Sequence, residues 1–191
     1  MRITLFDYGA GNLHSLAKAL AVDDAEVRIT PDPRAALDTD ALVLPGVGGF
    51  GPAAERLEPG RAAIASALQR GLPAIGVCLG MQLLFDASDE GPGRGVGYFP
   101  GKVTRLAARR VPHMGWNQVE GALMLDAAYF AHSYVCRAAD PGDVVGWTTH
   151  EGDRFPSAVR RGRVLGVQFH PEKSSRPGLE VLRRFIREVA S

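Results

Sequence analysis

Cysteine is scarce. Only Cys78 and Cys136 occur in 191 residues, which excludes a disulfide framework and leaves two reduced thiols as the expectation. No Cys-x-x-Cys or His-Glu-x-x-His spacing occurs, and the histidines (His14, His113, His132, His150, His170) are scattered, so no metal centre is expected. No apolar run approaches the ~18 residues of a membrane span. No charged-then-apolar leader opens the chain either; Met1-Arg2 runs straight into Ile3-Thr4-Leu5-Phe6, and a cytoplasmic location is expected. Charge of one sign is also lacking. A formal net charge of +1 gives no field for nucleic acid or an anionic membrane, and the arginine clusters at 105–110, 160–163 and 183–187 read as solvated faces. No cofactor is expected. Gly9-Ala10-Gly11-Asn12-Leu13-His14 starts like a dinucleotide fingerprint but ends in histidine where glycine is required, and no Gly-Lys-Ser/Thr phosphate loop is present.

What is there reads first as alternating strands and helices. Strands are expected over 3–8, 26–30, 41–44 and 73–78, and helices over 12–21, 61–70 and 80–86. Ala41-Leu42-Val43-Leu44 and Pro73-Ala74-Ile75-Gly76-Val77-Cys78 are almost wholly apolar, as strands covered on both faces must be. This predicts an α/β fold with a doubly wound, mostly parallel sheet. The second half carries short strand-like stretches at 96–106, 129–136, 144–149, 157–161 and 164–170, read as added antiparallel strands. A closing helix over 177–190 would bury Leu179, Leu182, Phe185 and Ile186. Without a linker, repeat or low-complexity tract, residues 1–191 are expected to form one domain.

Parallel sheets place their chemistry at the carboxyl ends of strands. Those ends carry Asp7-Tyr8-Gly9, Pro45-Gly46-Val47-Gly48 and Cys78. Gly76-Val77-Cys78-Leu79-Gly80 puts a thiol between glycines at a strand-to-helix junction, where a tight turn exposes a nucleophile. A helix start there favours thiolate and offers backbone amides to an oxyanion. A buried structural cysteine is the plainer alternative. Among the histidines, His170 ends the apolar strand 164–169 and is followed by Pro171-Glu172. In extended backbone, residues two apart point the same way, so Glu172 is expected to reach His170 and orient it as a base for Cys78. The glycine-rich loop 45–51 is read either as the source of an oxyanion-hole amide, formed by a peptide flip, or as a flexible connection.

Gly76-Val77-Cys78-Leu79-Gly80-Met81-Gln82 together with Gln168-Phe169-His170-Pro171-Glu172 resembles the class I (triad) glutamine amidotransferases. Three further segments, Asp7-Tyr8-Gly9-Ala10-Gly11-Asn12, Pro112-His113-Met114-Gly115-Trp116-Asn117 and His132-Ser133-Tyr134, narrow the likeness to members that serve a cyclase in histidine biosynthesis. The likeness runs from about residue 3 to 187. It implies that Cys78 attacks the carboxamide of L-glutamine, that His170 shuttles the proton and that Glu172 orients His170. It also implies that Val47 and Leu79 give oxyanion-hole amides, Val47 only after its loop rearranges. Gly48, Gln82, Glu90, Ser133 and Tyr134 match positions around the bound glutamine. Asn12, Trp116, Tyr129 and Lys173 match positions facing a partner, a (β/α)8-barrel cyclase that forms a heterodimer with the glutaminase and receives its ammonia. Two departures lie near that interface: a short stretch between Trp116 and Tyr129, and Ala131 in place of a larger apolar residue. A glutaminase for another synthase, an inactive scaffold subunit and a free-standing cysteine hydrolase remain the rival readings.

Overall fold

The computed structural model describes residues 1–9, 13–22 and 25–191, so the expectation placed on Asn12 lies outside the described residues. The first half alternates as its sequence pattern requires: β1 (Arg2–Phe6), α1 (His14–Leu20), β2 (Glu26–Thr30), β3 (Ala41–Leu44), α2 (Phe50–Leu57), α3 (Arg61–Gln69), β4 (Ala74–Val77) and α4 (Leu79–Leu83). The second half adds β5 (Ala87–Ser88), β6 (Gly101–Arg105), β7 (His113–Gln118), β8 (Glu120–Gly121), β9 (Ala127–His132), β10 (Tyr134–Ala138), β11 (Val144–His150), β12 (Asp153–Arg161), β13 (Val164–Val167) and the closing helix α5 (Ser175–Ala190).

The main sheet has the order β2-β1-β3-β4-β13-β12-β11-β8. Its first five strands are parallel and its last three antiparallel. Alternation along each parallel strand sends side chains to two different cores. Ile3, Leu5, Val43, Ile75, Val77, Leu165 and Val167 pack with α1 and α5 on one face. Phe6, Leu42, Leu44, Ala74 and Val164 pack with α2, α3 and α4 on the other. That is the doubly wound arrangement. Burying both faces of β1, β3, β4 and β13 leaves the strand ends open for chemistry, while the edge strand β2 stays partly exposed. Of the described helices, none is long and apolar enough to cross a membrane.

Several boundaries differ from expectation for identifiable reasons. The glycine-rich loop ends at Gly49, because Phe50 begins α2 and Gly51-Pro52 lie inside its first turn, where proline gives up no intrahelical bond. The stretch 96–106 is strand only from Gly101. Before that, the N–H groups of Val96, Gly97, Tyr98 and Phe99 bond to the carbonyls of Leu83, Leu84 and Phe85, closing the end of α4. The expected strand 129–136 is two strands, broken at Ser133, with β9 pairing β7 and β10 pairing β6. One added pairing, β5 with β6, is parallel rather than antiparallel.

Candidate active site

Four strand ends converge on one cavity of about 390 Å³. β4 delivers Cys78, whose φ of 50° and ψ of −105° hold it in a turn that non-glycine residues rarely adopt. Close packing imposes that turn. A Cβ on Gly76 would lie 2.5 Å from the Gly80 carbonyl oxygen, and one on Gly80 would lie 1.9 Å from the Leu44 carbonyl oxygen. The first turn of α4 therefore sits directly on β3 and β4, with Cys78 at the bend. The Cys78 N–H donates to the Val167 carbonyl at 2.7 Å, so β13 holds the nucleophile's backbone and supplies His170 three residues later.

His170 is only 2 % exposed, and its Nδ1 lies 2.9 Å from Glu172 Oε1. The expected contact is made, but by a different route. Pro171–Lys173 form a short 3-10 turn instead of extended backbone, and that turn brings the carboxylate back beneath the ring. The Ser174 hydroxyl donates to the His170 carbonyl at 2.6 Å and accepts the Tyr129 N–H at 2.9 Å. The His170 N–H in turn donates to the Tyr129 carbonyl at 2.9 Å. β9 is thereby stitched to the turn that carries the base. Burial opposes charge on His170, but hydrogen bonds to Cys78 and Glu172 and their negative charges outweigh it and raise its pKa to about 9.

Val47, Gly48, Leu79, Gln82, Glu90, Ser133, Tyr134 and Lys173 line the same cavity as Cys78 and His170. Glu90 Oε2 also accepts the Phe50 N–H at 3.0 Å, at the start of α2. The loop before it is not loose. A Cβ on Gly46 would meet the Val77 carbonyl oxygen at 2.7 Å, Gly48 has φ of 113°, and the buried Tyr8 hydroxyl donates to the Pro45 carbonyl. Trp116 and Tyr129 lie outside the cavity. They form a cross-strand pair on β7 and β9, with ring centroids 6.5 Å apart and Trp116 56 % exposed. Ala131, expected near the interface, lines the cavity itself. Among the described residues, no group of three or more histidine, cysteine or acidic side chains is placed to hold a metal.

Sequence reasoning gave no role to the buried polar chain beside the cavity. His113 and His132 are a cross-strand pair with Nδ1 and Nε2 3.0 Å apart. His113 Nε2 meets Asn117 Nδ2 at 3.2 Å, and His132 Nδ1 meets the Tyr134 carbonyl at 3.0 Å. The available signal was period two. His132 follows the buried Ala128 and Phe130 on the inward face of its strand. Burial, reinforced by the neighbouring histidines, lowers His113 to about 4 and His132 to about 3.

These shifts predict a stability maximum near pH 6.5, the ordinary histidine value. Below it, the unfolded chain protonates His113 and His132 while the folded chain does not, so stability falls as pH drops toward 4. The slope is at most about 2.7 kcal/mol per pH unit for two protons. Above it, the stabilisation from charged His170 is lost as pH rises through about 9. Urea midpoints measured from pH 4.5 to 9.5 check this, and a flat profile between 4.5 and 6.5 contradicts it.

Comparison with known proteins agrees with this geometry. Residues 4–189 match the family model for glutamine amidotransferase class-I. The chain is 43 % identical to the imidazole glycerol phosphate synthase subunit HisH of Halobacterium salinarum, over 96 % of this chain and 92 % of that one. It is 44 % identical to the subunit of the same name from Pyrococcus furiosus, over 97 % and 98 %. A crystal structure described as a glutamine amidotransferase superposes with a TM-score of 0.77 at 21 % identity, over 99 % of both chains, and shows the shared fold. With a family match along almost the whole sequence and a cysteine elbow facing a histidine–glutamate pair, the chain belongs to the class I glutamine amidotransferases.

Proposed function

We propose that this chain is the glutaminase subunit of an imidazole glycerol phosphate synthase, hydrolysing L-glutamine and delivering ammonia to a cyclase subunit. The observation that carries the chemistry is the buried His170–Glu172 pair at 2.9 Å, on the cavity that Cys78 enters from a strained turn. The names of the relatives support the pathway.

The Cys78 sulfur attacks the carboxamide carbon, and the negative charge that develops on its oxygen is met by the Leu79 N–H and, once the 45–48 loop rearranges, by the Val47 N–H. His170, charged and held by Glu172, gives its proton to the leaving nitrogen, so ammonia departs and a thioester remains. Neutral His170 then takes a proton from water as water attacks the thioester, releasing glutamate and restoring the thiolate–imidazolium pair. Glu90 takes the substrate ammonium through its carboxylate, and Gly48, Gln82, Ser133 and Tyr134 line the rest of the glutamine site.

Residues 1–191 act as one domain that works in the cytoplasm, without cofactor or metal. Trp116, Tyr129 and Lys173 face a (β/α)8-barrel cyclase. Exposed Trp116 and Met114, at 56 % and 65 %, give this face its apolar character. Glutamate release from glutamine, measured alone and with the cyclase plus its nucleotide ligand, tests the reading. Turnover is expected to be feeble alone and to rise by orders of magnitude with the liganded cyclase. Brisk turnover indifferent to the cyclase would overturn the pathway assignment. Lys173→Ala is expected to reduce that activation more than it reduces alkylation of Cys78; equal loss of both would contradict an interface role.

A further inference from the structure

Gln168 precedes Phe169-His170 at the end of β13 and is wholly buried. Its carboxamide nitrogen lies 3.5 Å from Cys78 Sγ, and its oxygen lies 3.3 Å from Gln82 Nε2. Gln82 Nε2 is also 3.1 Å from the Tyr134 carbonyl. A backbone carbonyl only accepts, so that contact fixes which end of the Gln82 amide is nitrogen. The second Gln82 N–H then points at Gln168 Oε1, which leaves the Gln168 N–H aimed at sulfur.

The same carbonyl sets the other arm. His132 Nδ1 must donate to it, so Nε2 accepts from His113 Nδ1, and His113 Nε2 accepts from Asn117. Asn117 is oriented independently, because its nitrogen also donates to the Thr149 carbonyl at 3.0 Å. The carbonyls at the two ends, which can only accept, therefore agree on one assignment: Asn117 donates to Thr149 at its own end and, through His113 and His132, the other donors all run toward Tyr134. The burial that keeps both histidines neutral preserves this pattern.

We infer that Gln168 is a positioning residue whose side-chain N–H, oriented through Gln82 and the Tyr134 carbonyl, holds the Cys78 sulfur in place and favours its thiolate. The inference rests on Cys78 being the nucleophile. A hydrogen bond from a neutral donor stabilises an anionic acceptor more than the corresponding neutral one, so losing the N–H shifts the thiol toward its protonated form.

The test is the pH dependence of Cys78 alkylation by iodoacetamide without substrate, read by mass spectrometry on the tryptic peptide 71–94, which excludes Cys136. Gln168→Met keeps the length of the side chain and removes the donor, and its alkylation profile is expected to move to higher pH by about one unit, a tenfold fall on the limb where the thiol is mostly protonated. Gln168→Glu replaces the donor by an acceptor, with a larger fall. Gln82→Met frees the Gln168 amide to turn, with a smaller one. Profiles that superimpose on wild type in folded Gln168 variants overturn the inference. Should those variants fail to fold, wild-type protein labelled with [¹⁵N]glutamine decides. The Gln168 side-chain resonance is expected to move as Cys78 titrates, and a resonance that does not move overturns the inference. Wild-type Cys78 that resists alkylation up to pH 9 would overturn the nucleophile reading itself and the inference with it.

Discussion

Cys78→Ala in the assembled synthase is expected to abolish synthesis from glutamine while leaving synthesis from ammonium salts intact. Removing the atom that forms the thioester leaves no substitute. The Cys78 sulfur is bracketed by His170, the Gln168 amide at 3.5 Å and the Ala131 carbonyl at 4.0 Å, and Cys136 is buried in the core on the other face of the sheet. Loss of a catalytic nucleophile costs on the order of 10⁴-fold or more in turnover. Folding should survive, because the change deletes one atom from a residue whose backbone is held by the Val167 carbonyl. A second reading comes from His170. Its charge is favoured by hydrogen bonds and charge from both Cys78 and Glu172, so its titration by NMR should move down from about 9 when the sulfur is removed. Loss of ammonia-dependent synthesis in the variant would contradict the division of labour between the subunits. An unmoved His170 titration would contradict the coupling of base to nucleophile.

The parts of this site that were legible in sequence are those fixed by local chain geometry. The β3 and β4 strands are continuous apolar runs buried on both faces, and a glycine-flanked cysteine at the end of one of them has few conformations open to it. His170 and Glu172 are two residues apart, so their contact is local even though a 3-10 turn rather than extended backbone makes it. What was not legible depends on residues distant in sequence. α2 hides behind Gly51-Pro52, and its first N–H is met by Glu90, forty residues later. β7 carries a segment too polar and too glycine-broken to read as a strand, and pairing with β9 makes it one. The Gln168–Gln82–Tyr134 junction joins three elements, and no local pattern announces it. The resemblance to known amidotransferases marked Gln82 and Tyr134 as substrate positions but left Gln168 and His132 without a task.

Gly80→Ala is expected to cause the largest stability loss of any single methyl addition near the site. The added carbon would sit 1.9 Å from the Leu44 carbonyl oxygen, 2.5 Å from its carbonyl carbon and 2.9 Å from its Cβ. Leu44 ends β3, which is hydrogen-bonded on both sides by β1 and β4, so the strand cannot yield. Relief requires α4 to lift from the sheet by more than an ångström, opening contacts around the fully buried Leu83 and Met81. Overpacking against backbone of this kind costs about 3 kcal/mol or more, a large part of the 5–15 kcal/mol that roughly bounds a domain's stability. The lift also moves the Leu79 N–H and the bend at Cys78. An ångström of misplacement costs about 10²-fold in rate, so whatever fraction still folds should be slow. Gly71→Ala is the control. Gly71 has φ of 100° but nothing within 4 Å of an added Cβ, so only backbone strain of about 1–3 kcal/mol is incurred, away from the cavity, and turnover per folded molecule should be unchanged. Urea midpoints and glutaminase rates of the two variants separate the causes. Gly80 itself has ordinary helical backbone, so equal stability losses with equal turnover would contradict the contact between α4 and β3 as the reason for glycine at position 80.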